Sequence, residues 1–311
     1  MKLSQLIFAL LILLGLCSCD GSRKPTNDKL NVVVSFSILG DWVQEIGGDK
    51  INLAVMAKTG MDPHAYEAVP SDARALARAN VIFSLGLGFD DWCSKAATGA
   101  STRARQVAVG ESIEARILDK NGDEATCHGC CVHKHEGALV DPHAFHSVAK
   151  AREMCARICT VLGAEDKANA AYYQARLATY DAKLAALDAW AKKELEVLPK
   201  ERRLIASTHD TFGYFAADYE FRRVGVILKS FSTEAPDPAA ADLKALCQKL
   251  RDNKVPAIFG EAPGPDKLAA TVARELSIKQ ELLFCDGLGL TATTYEAMFR
   301  ANLSTMIQAL K

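Results

Sequence analysis

The feature that most constrains the fold is a long segment in the middle of the chain that contains neither glycine nor proline. It covers residues 165–197 of the 311 and is rich in alanine, lysine, glutamate and leucine. Its large apolar residues recur at steps of three and four, which indicates one buried helical face: Leu177, Tyr180, Leu184, Leu187 and Trp190. About thirty helical residues would span on the order of 45 Å. The sequence therefore predicts a linker helix over 165–198, with two shorter helices and a kink as the alternative.

Short apolar runs flank this segment on both sides and alternate with stretches of helical spacing. The runs predicted to be buried strands lie at 32–36, 53–56 and 81–85 before the segment, and at 204–206, 224–228, 256–259 and 282–284 after it. Such alternation is typical of parallel α/β sheets. We therefore predict an α/β fold of two lobes with parallel sheets, over 31–164 and 199–311, joined by the long helix.

The first residues predict export. Met1 and Lys2 form a basic start, and the apolar run 6–14 that follows is too short for a transmembrane helix, which needs roughly 20 residues. Ser18 and Cys19 then match the end of a bacterial lipobox, so we predict a signal peptide over 1–18 and a lipidated Cys19 on a polar tether over 19–30. The alternative is a cleaved signal with incidental cysteines. The protein is expected outside the cytoplasmic membrane, periplasmic or otherwise extracytoplasmic, and held by its lipid anchor.

Overall charge gives no case for a nucleic-acid partner. The chain has 37 basic and 38 acidic side chains, for a formal net charge of -1. Nucleic-acid-binding domains favour a clustered basic surface. We expect a monomer that binds no nucleic acid and contacts the membrane only through its anchor.

Three histidines and one aspartate lie shortly after predicted strands or apolar runs: His64, His143, His209 and Asp286. In open α/β sheets, ligands bind at the carboxyl ends of the strands. Two of these side chains come from each half of the chain, so the pattern predicts a site in the cleft between the lobes. The spacing is dispersed and matches no compact metal motif.

An ordinary structural explanation exists for part of this pattern. Asp62-Pro63 and Asp141-Pro142 are good helix starts, because aspartate caps and proline fits the first turn. The same dipeptide at Asp237-Pro238 carries no histidine. What distinguishes the first two is the histidine that follows each of them, which favours a metal site without establishing one.

Several segments resemble one family over nearly all of the chain after the tether, in the same order. They lie at 60–67, 70–72, 86–92, 141–143, 208–215, 259–261, 286–289 and 295–299. Together they resemble the cluster A-I solute-binding lipoproteins that serve bacterial zinc and manganese importers of the ABC type. One departure is Phe145, where the family often has tryptophan.

This resemblance implies a ligand set, a function and partners. It implies that His64, His143, His209 and Asp286 bind a divalent metal in the interlobe cleft, and that an ABC permease and its ATPase receive the ion. Relatives that favour manganese generally carry glutamate at the position of His209. Imidazole suits zinc whereas carboxylate suits manganese, so we expect Zn²⁺, with Mn²⁺ as the alternative. Four protein ligands leave no open position for catalysis, so no enzyme activity is expected.

A loop over 121–137 carries a second group of potential ligands. It contains His128, His133 and His135, together with three cysteines and several acidic residues. Short tracts of cysteine and histidine commonly bind metal. Relatives often carry a histidine-rich insertion here, so we favour an accessory, weak metal-collecting loop over an inert linker. Its cysteines could instead form disulfides outside the cytosol.

Two other function classes compete with metal capture. An exported zinc hydrolase would need an open metal position and a glutamate base, as in an H-E-x-x-H helix, and the sequence has no such motif. A surface adhesin is the other alternative, but nothing here resembles an adhesive repeat. Metal capture remains the leading hypothesis.

Overall fold

The N-terminal lobe is built on a parallel four-stranded sheet. The computed structural model describes residues 29–118, 139–262, 264 and 266–311. The strands are β1 (Leu30–Phe36), β2 (Ile51–Ala57), β3 (Val81–Ser84) and β4 (Arg105–Ala108), in the order β2-β1-β3-β4. Helices α1 (Ser37–Gly47), α2 (Pro70–Arg78) and α3 (Asp91–Gly99) connect them. β1 is central and nearly all buried, as expected for a strand covered on both faces.

A small hairpin follows this sheet and precedes the helical middle of the chain. It pairs β5 (Ile117–Leu118) with β6 (Leu139–Val140) in antiparallel fashion. His143 therefore follows a two-residue strand outside the main sheet, and the expectation that all four side chains lie at the edges of parallel sheets is wrong for this one. A short turn then leads into α4 (Val148–Glu165), whose first turn is capped by the Ser147 hydroxyl.

The central helix α5 (Ala170–Glu194) is shorter than the predicted range 165–198. The chain leaves helical geometry at Asp166, whose carboxylate accepts hydrogen bonds from Asn169 at 2.7 Å and from Tyr173 at 2.8 Å. Asp and Asn side chains compete with helical hydrogen bonding in this way. At about 1.5 Å per residue, α5 still spans roughly 37 Å.

The C-terminal lobe repeats the parallel architecture. Its strands are β7 (Leu204–Ser207), β8 (Arg222–Val226), β9 (Ala257–Ala262) and β10 (Lys279–Phe284), in the order β10-β9-β7-β8. Its helices are α6 (Gly213–Asp218), α7 (Ala240–Asp252), α8 (Lys267–Leu276) and α9 (Tyr295–Leu310). The predicted α/β fold with one parallel sheet per lobe is confirmed.

The two lobes share one apolar core around α5. Tyr180, Leu184 and Leu187 of α5 are buried in it, along with residues of both lobes. Trp42 of α1 packs edge-on against Tyr295 of α9, with ring centroids 5.3 Å apart. The lobes are therefore packed together on the side away from the cleft. Within the described residues, no helix combines the length and apolar character needed to cross a bilayer.

Candidate metal centre

The four predicted side chains converge in the cleft between the lobes. His64 lies between β2 and α2, His143 in the turn before α4, His209 just after β7 and Asp286 just after β10. One nitrogen or oxygen atom from each lies within 4.8 Å of all the others. Two side chains come from each lobe, so the cluster exists only while the two lobes keep their relative positions.

The separations within the cluster suit a small tetrahedral ion. The shortest, 3.3 Å, joins His143 Nε2 to Asp286 Oδ1. His209 Nε2 lies 3.4 Å from both Asp286 Oδ2 and His143 Nε2, and His64 Nε2 lies 3.6 Å from Asp286 Oδ1. A tetrahedral ion with bonds of about 2.0–2.1 Å would hold its ligand atoms roughly 3.3–3.4 Å apart. His143, His209 and Asp286 are therefore close to that spacing, whereas the ligand atoms of all four side chains together lie within 4.8 Å of one another.

Burial of these polar side chains destabilises the folded protein unless an ion binds to them. The His143 and His209 side chains are fully buried, and only 7% of the Asp286 side chain is exposed. Among the described residues, His64 Nε2 and Asp286 Oδ1 are buried atoms without a hydrogen-bond partner. A buried polar atom without a partner is destabilising, and a bound cation would satisfy both atoms at once.

Carboxylates outside the cluster orient two of the imidazoles. Asp141 Oδ1 lies 3.0 Å from His143 Nδ1, and Arg116 Nη1 donates to Asp141 Oδ2 at 2.6 Å. Glu261 makes a short contact with His209 Nδ1. A proton on Nδ1, shared with a carboxylate, leaves the Nε2 lone pair directed at the centre of the cluster, as metal-binding histidines require. Gly213 leaves the space that the Arg116 guanidinium occupies.

Four carboxylates lie close to the cluster histidines in sequence and are candidates to orient them: Asp62, Glu67, Asp141 and Asp210. Of these, Asp141 contacts the ring of a cluster histidine. Asp62 accepts from the backbone N–H of His64 at 2.8 Å, and Asp210 pairs with Arg223 at 2.7 Å. Glu67 is exposed. Glu261 was missed, although it lies in β9 at the same sheet edge as His209 and the strand-end rule could have found it.

The electrostatics of the cluster favour charge separation when no cation is bound. Burial alone would lower the pKa of His143 and of His209, but the nearby carboxylates outweigh it and raise both above the usual range. Burial likewise works to raise the pKa of Asp286, yet the surrounding imidazoles hold it well below its usual value. Protons on the imidazoles therefore compete with a metal ion for the same nitrogen atoms.

A groove leads from solvent to the cluster and passes between the lobes. It has a volume of about 1090 Å³ and is lined by His64, by Trp92 of the N-terminal lobe and by Phe231 of the C-terminal lobe. The Trp92 indole N–H donates to the Pro63 carbonyl at 2.8 Å, which fixes the loop that carries His64. Ions can approach the cluster from this side, where His64 lines the groove.

Several predicted site residues lie in segments that the structure does not describe. His128, His133 and His135 of the predicted accessory loop, and Cys19 of the predicted anchor, lie outside the described residues. Within the described part of the chain, the cluster in the cleft is the one group of three or more potential metal ligands.

Comparison with known proteins places the chain in a family. The family described as ZnuA, zinc-uptake complex component A, periplasmic, matches residues 32–309. The chain belongs to this family. The metal ABC transporter substrate-binding lipoprotein ScbA of Streptococcus cristatus is 29% identical over 325 residues, with 99% of each chain covered.

Two further relatives show the range of metals within this likeness. The manganese ABC transporter substrate-binding lipoprotein PsaA of Streptococcus pneumoniae is 29% identical over 313 residues, covering 98% of this chain and 96% of its own. The periplasmic zinc binding protein TroA of Treponema pallidum superposes with a TM-score of 0.78 at 26% identity, over 91% of this chain and 99% of that one. The predicted membership among metal ABC transporter substrate-binding proteins is confirmed. Since these relatives are binding proteins, the family also supports the prediction that the chain is not an enzyme.

Proposed function

We propose that this chain captures zinc outside the cytoplasmic membrane and delivers it to the permease of an ABC importer, with His64, His143, His209 and Asp286 as the ligands. The observation that carries the proposal is the buried cluster of three imidazoles and one carboxylate, whose ligand atoms all lie within 4.8 Å of one another and in four pairs only 3.3–3.6 Å apart. Three nitrogen donors and one oxygen donor suit zinc better than manganese. Four protein ligands make a closed site, which fits a carrier better than a hydrolase.

Manganese is the second candidate, and the curated relatives favour it. Several of them, including scaA of Streptococcus gordonii, carry manganese in their names. Against it stands the donor set, because manganese prefers oxygen ligands in an octahedral arrangement. The two candidates therefore differ in which donors dominate, a property that substitution at the cluster can change.

Elemental analysis of the full-length protein, purified without added metal, tests the proposal directly. We expect one equivalent of zinc per chain. Competition titration should then show that zinc binds more tightly than manganese, by a larger factor than the general order of divalent-ion affinities predicts. Protein that carries manganese, or that binds neither ion, would contradict the assignment. A hydrolase screen on the zinc-loaded protein should show no activity.

Acidification should weaken zinc binding, beginning above pH 6.5. Each histidine must be neutral to bind the ion. Burial lowers the pKa of His143 and His209, but the adjacent carboxylates raise it above the usual value of 6.5. Protons therefore already compete near neutral pH, and affinity falls further as pH falls. Competition titrations between about pH 8.5 and about pH 5.5 measure this, and a constant affinity over that range would argue against histidine ligands.

Membrane attachment and partners are part of the same proposal. We infer that Cys19 carries the lipid, that the body is a monomer, and that a permease with its ATPase receives the ion. Relatives named as lipoproteins support the anchor. Mass spectrometry of the mature N-terminus should find a chain that begins at a lipidated Cys19, and Cys19→Ala should release the protein from membranes. A mature chain that begins at another residue would refute the anchor alone.

A further inference from the structure

We propose that His146 is a positioning residue that fixes the distance between the ligands of the two lobes and thereby contributes to metal selectivity. It belongs to the N-terminal lobe, in the turn between His143 and α4, and only 2% of it is exposed. It is not one of the four clustered side chains. The proposal rests on the proposed function, since it concerns the same metal centre.

A single hydrogen bond joins His146 to the segment that carries Asp286. Its Nε2 lies 2.7 Å from the carbonyl oxygen of Cys285, the residue immediately before Asp286. Because a carbonyl oxygen only accepts, the proton must be on Nε2. This bond crosses from one lobe to the other and ends one residue from the carboxylate that faces all three imidazoles.

The ring of His146 also contacts the segment that carries His209. It packs against Phe212 of the C-terminal lobe, with ring centroids 4.7 Å apart, and against its own neighbour Phe145 at 4.8 Å. Phe212 follows His209 by one turn of chain and is itself buried. One side chain therefore touches the segments that hold His143, His209 and Asp286.

The backbone around Asp286 is held by the N-terminal lobe on both sides. Before it, His146 donates to the carbonyl of Cys285. After it, the backbone N–H of Leu288 donates to Ser37 Oγ at 2.9 Å. Within the C-terminal lobe, Asn302 pairs with both backbone groups of Phe284, at 2.9 and 2.7 Å. The segment that carries Asp286 is thus held by hydrogen bonds from both lobes, two of them from the opposite lobe.

His146 can serve this purpose without adding charge near the metal. Burial lowers its pKa to about 4, and the neighbouring His143 works in the same direction. A neutral imidazole keeps its single N–H for the carbonyl of Cys285 and offers no competing charge. The hydrogen bond from His146 to the Cys285 carbonyl should therefore persist with and without bound metal, as it must if it is to fix the distance between the two lobes.

Fixed spacing favours an ion with short bonds and four ligands. Zinc suits the separations of 3.3–3.4 Å found among His143, His209 and Asp286, whereas manganese prefers a larger set of oxygen donors. If the segment that carries Asp286 could move away from His143, the ligand separations would no longer suit zinc. Zinc affinity would then fall more than manganese affinity. Loss of the His146 contact should therefore reduce zinc affinity more than manganese affinity.

The test compares His146→Leu with His146→Gln in the full chain, using zinc and manganese alone as probes in competition titrations. Leucine removes the donor, whereas the glutamine amide can place an N–H where Nε2 lies. We expect His146→Leu to weaken zinc binding by about tenfold or more and to narrow the zinc-to-manganese ratio. His146→Gln should keep most of the wild-type zinc affinity and most of the wild-type zinc-to-manganese affinity ratio. If the leucine variant fails to fold, His146→Asn, whose amide is too short to reach the carbonyl, replaces it.

The matched control is Tyr173→Phe, which removes one partly buried hydrogen bond, to Asp166, between two residues outside the cluster. It should lower the thermal midpoint and leave the metal ratio unchanged. Wild-type affinities for both metals in His146→Leu, or in His146→Asn where it replaces the leucine variant, would overturn the inference, and so would an equal loss for both metals that glutamine does not restore. If wild-type protein binds neither ion, the proposed function fails and this inference fails with it. If wild-type protein binds zinc and only the variants disagree, the inference alone fails.

Discussion

Asp286→Asn is expected to lower zinc affinity by at least about a hundredfold. Asp286 is the only carboxylate in the cluster, and its two oxygen atoms lie 3.3–3.6 Å from the Nε2 atoms of all three histidines. Asparagine keeps the shape but removes the negative charge that balances the ion. Replacement of partners outside the ligand shell typically costs about 10–100-fold, so loss of a ligand should cost more. Isothermal titration with zinc measures the change.

Asp210→Asn is the matched control for this substitution. Asp210 is also an aspartate just after a strand of the C-terminal sheet and lies next to His209 in sequence. Its carboxylate forms an ion pair with Arg223 at 2.7 Å and is not part of the cluster. Zinc affinity should stay near the wild-type value in this variant. If Asp286→Asn also kept the wild-type zinc affinity, Asp286 would not be a ligand and the proposed site would be wrong.

The fold was largely predictable because its central strands are buried on both faces. Residues 32–36 are apolar except for Ser35, residues 204–206 are apolar throughout, and both proved to be central parallel strands. β4 was not predicted, because Arg105 and Gln106 are exposed at the edge of the sheet and Val107 alone of its four residues is buried. The start of α5 was also misplaced, because the break at Asp166 depends on side-chain hydrogen bonds that a search for glycine and proline does not detect.

The cluster was predictable from one rule and one resemblance. The strand-end rule accounts for His64, His209 and Asp286, which all follow parallel strands. His143 follows the small hairpin, so its prediction depended on the family resemblance more than on the rule. The rule should also have included Glu261, which lies in β9 and contacts His209.

Partners that act across the lobes could not be predicted. Arg116 reaches Asp141 only because the hairpin of β5 and β6 brings together residues that are 25 positions apart. His146 reaches Cys285 across 139 positions and between the two lobes. Contacts of this kind depend on how the lobes pack, which hydrophobic periodicity within a segment does not specify. A structure is needed to see them.

His209→Glu is expected to narrow the preference for zinc over manganese. The substitution replaces an imidazole nitrogen with a carboxylate oxygen, which weakens zinc binding and suits manganese. Tight zinc binding by the wild type alone would prove little, because zinc exceeds manganese in the general order of affinities. The ratio of the two affinities in the two proteins is the informative quantity.

The structure adds a complication that the sequence did not reveal. Glu261 contacts His209 Nδ1, and burial already raises the pKa of its carboxyl group. A glutamate at position 209 would place a second carboxylate beside it, and two adjacent carboxylates tend to retain a proton. That proton would compete with the metal. The single variant should therefore bind both ions more weakly at mildly acidic pH, whereas Glu261→Gln removes the repulsion.

The double variant His209→Glu with Glu261→Gln should thus gain manganese affinity relative to His209→Glu alone. Glu261→Gln by itself is the control, because it keeps three nitrogen ligands and should keep the zinc preference, with some loss of affinity from weaker orientation of His209. Isothermal titration of both metals against the four proteins tests this. If His209→Glu leaves the zinc-to-manganese ratio unchanged, His209 does not select the metal. The preference would then have to come from the spacing of the remaining ligands.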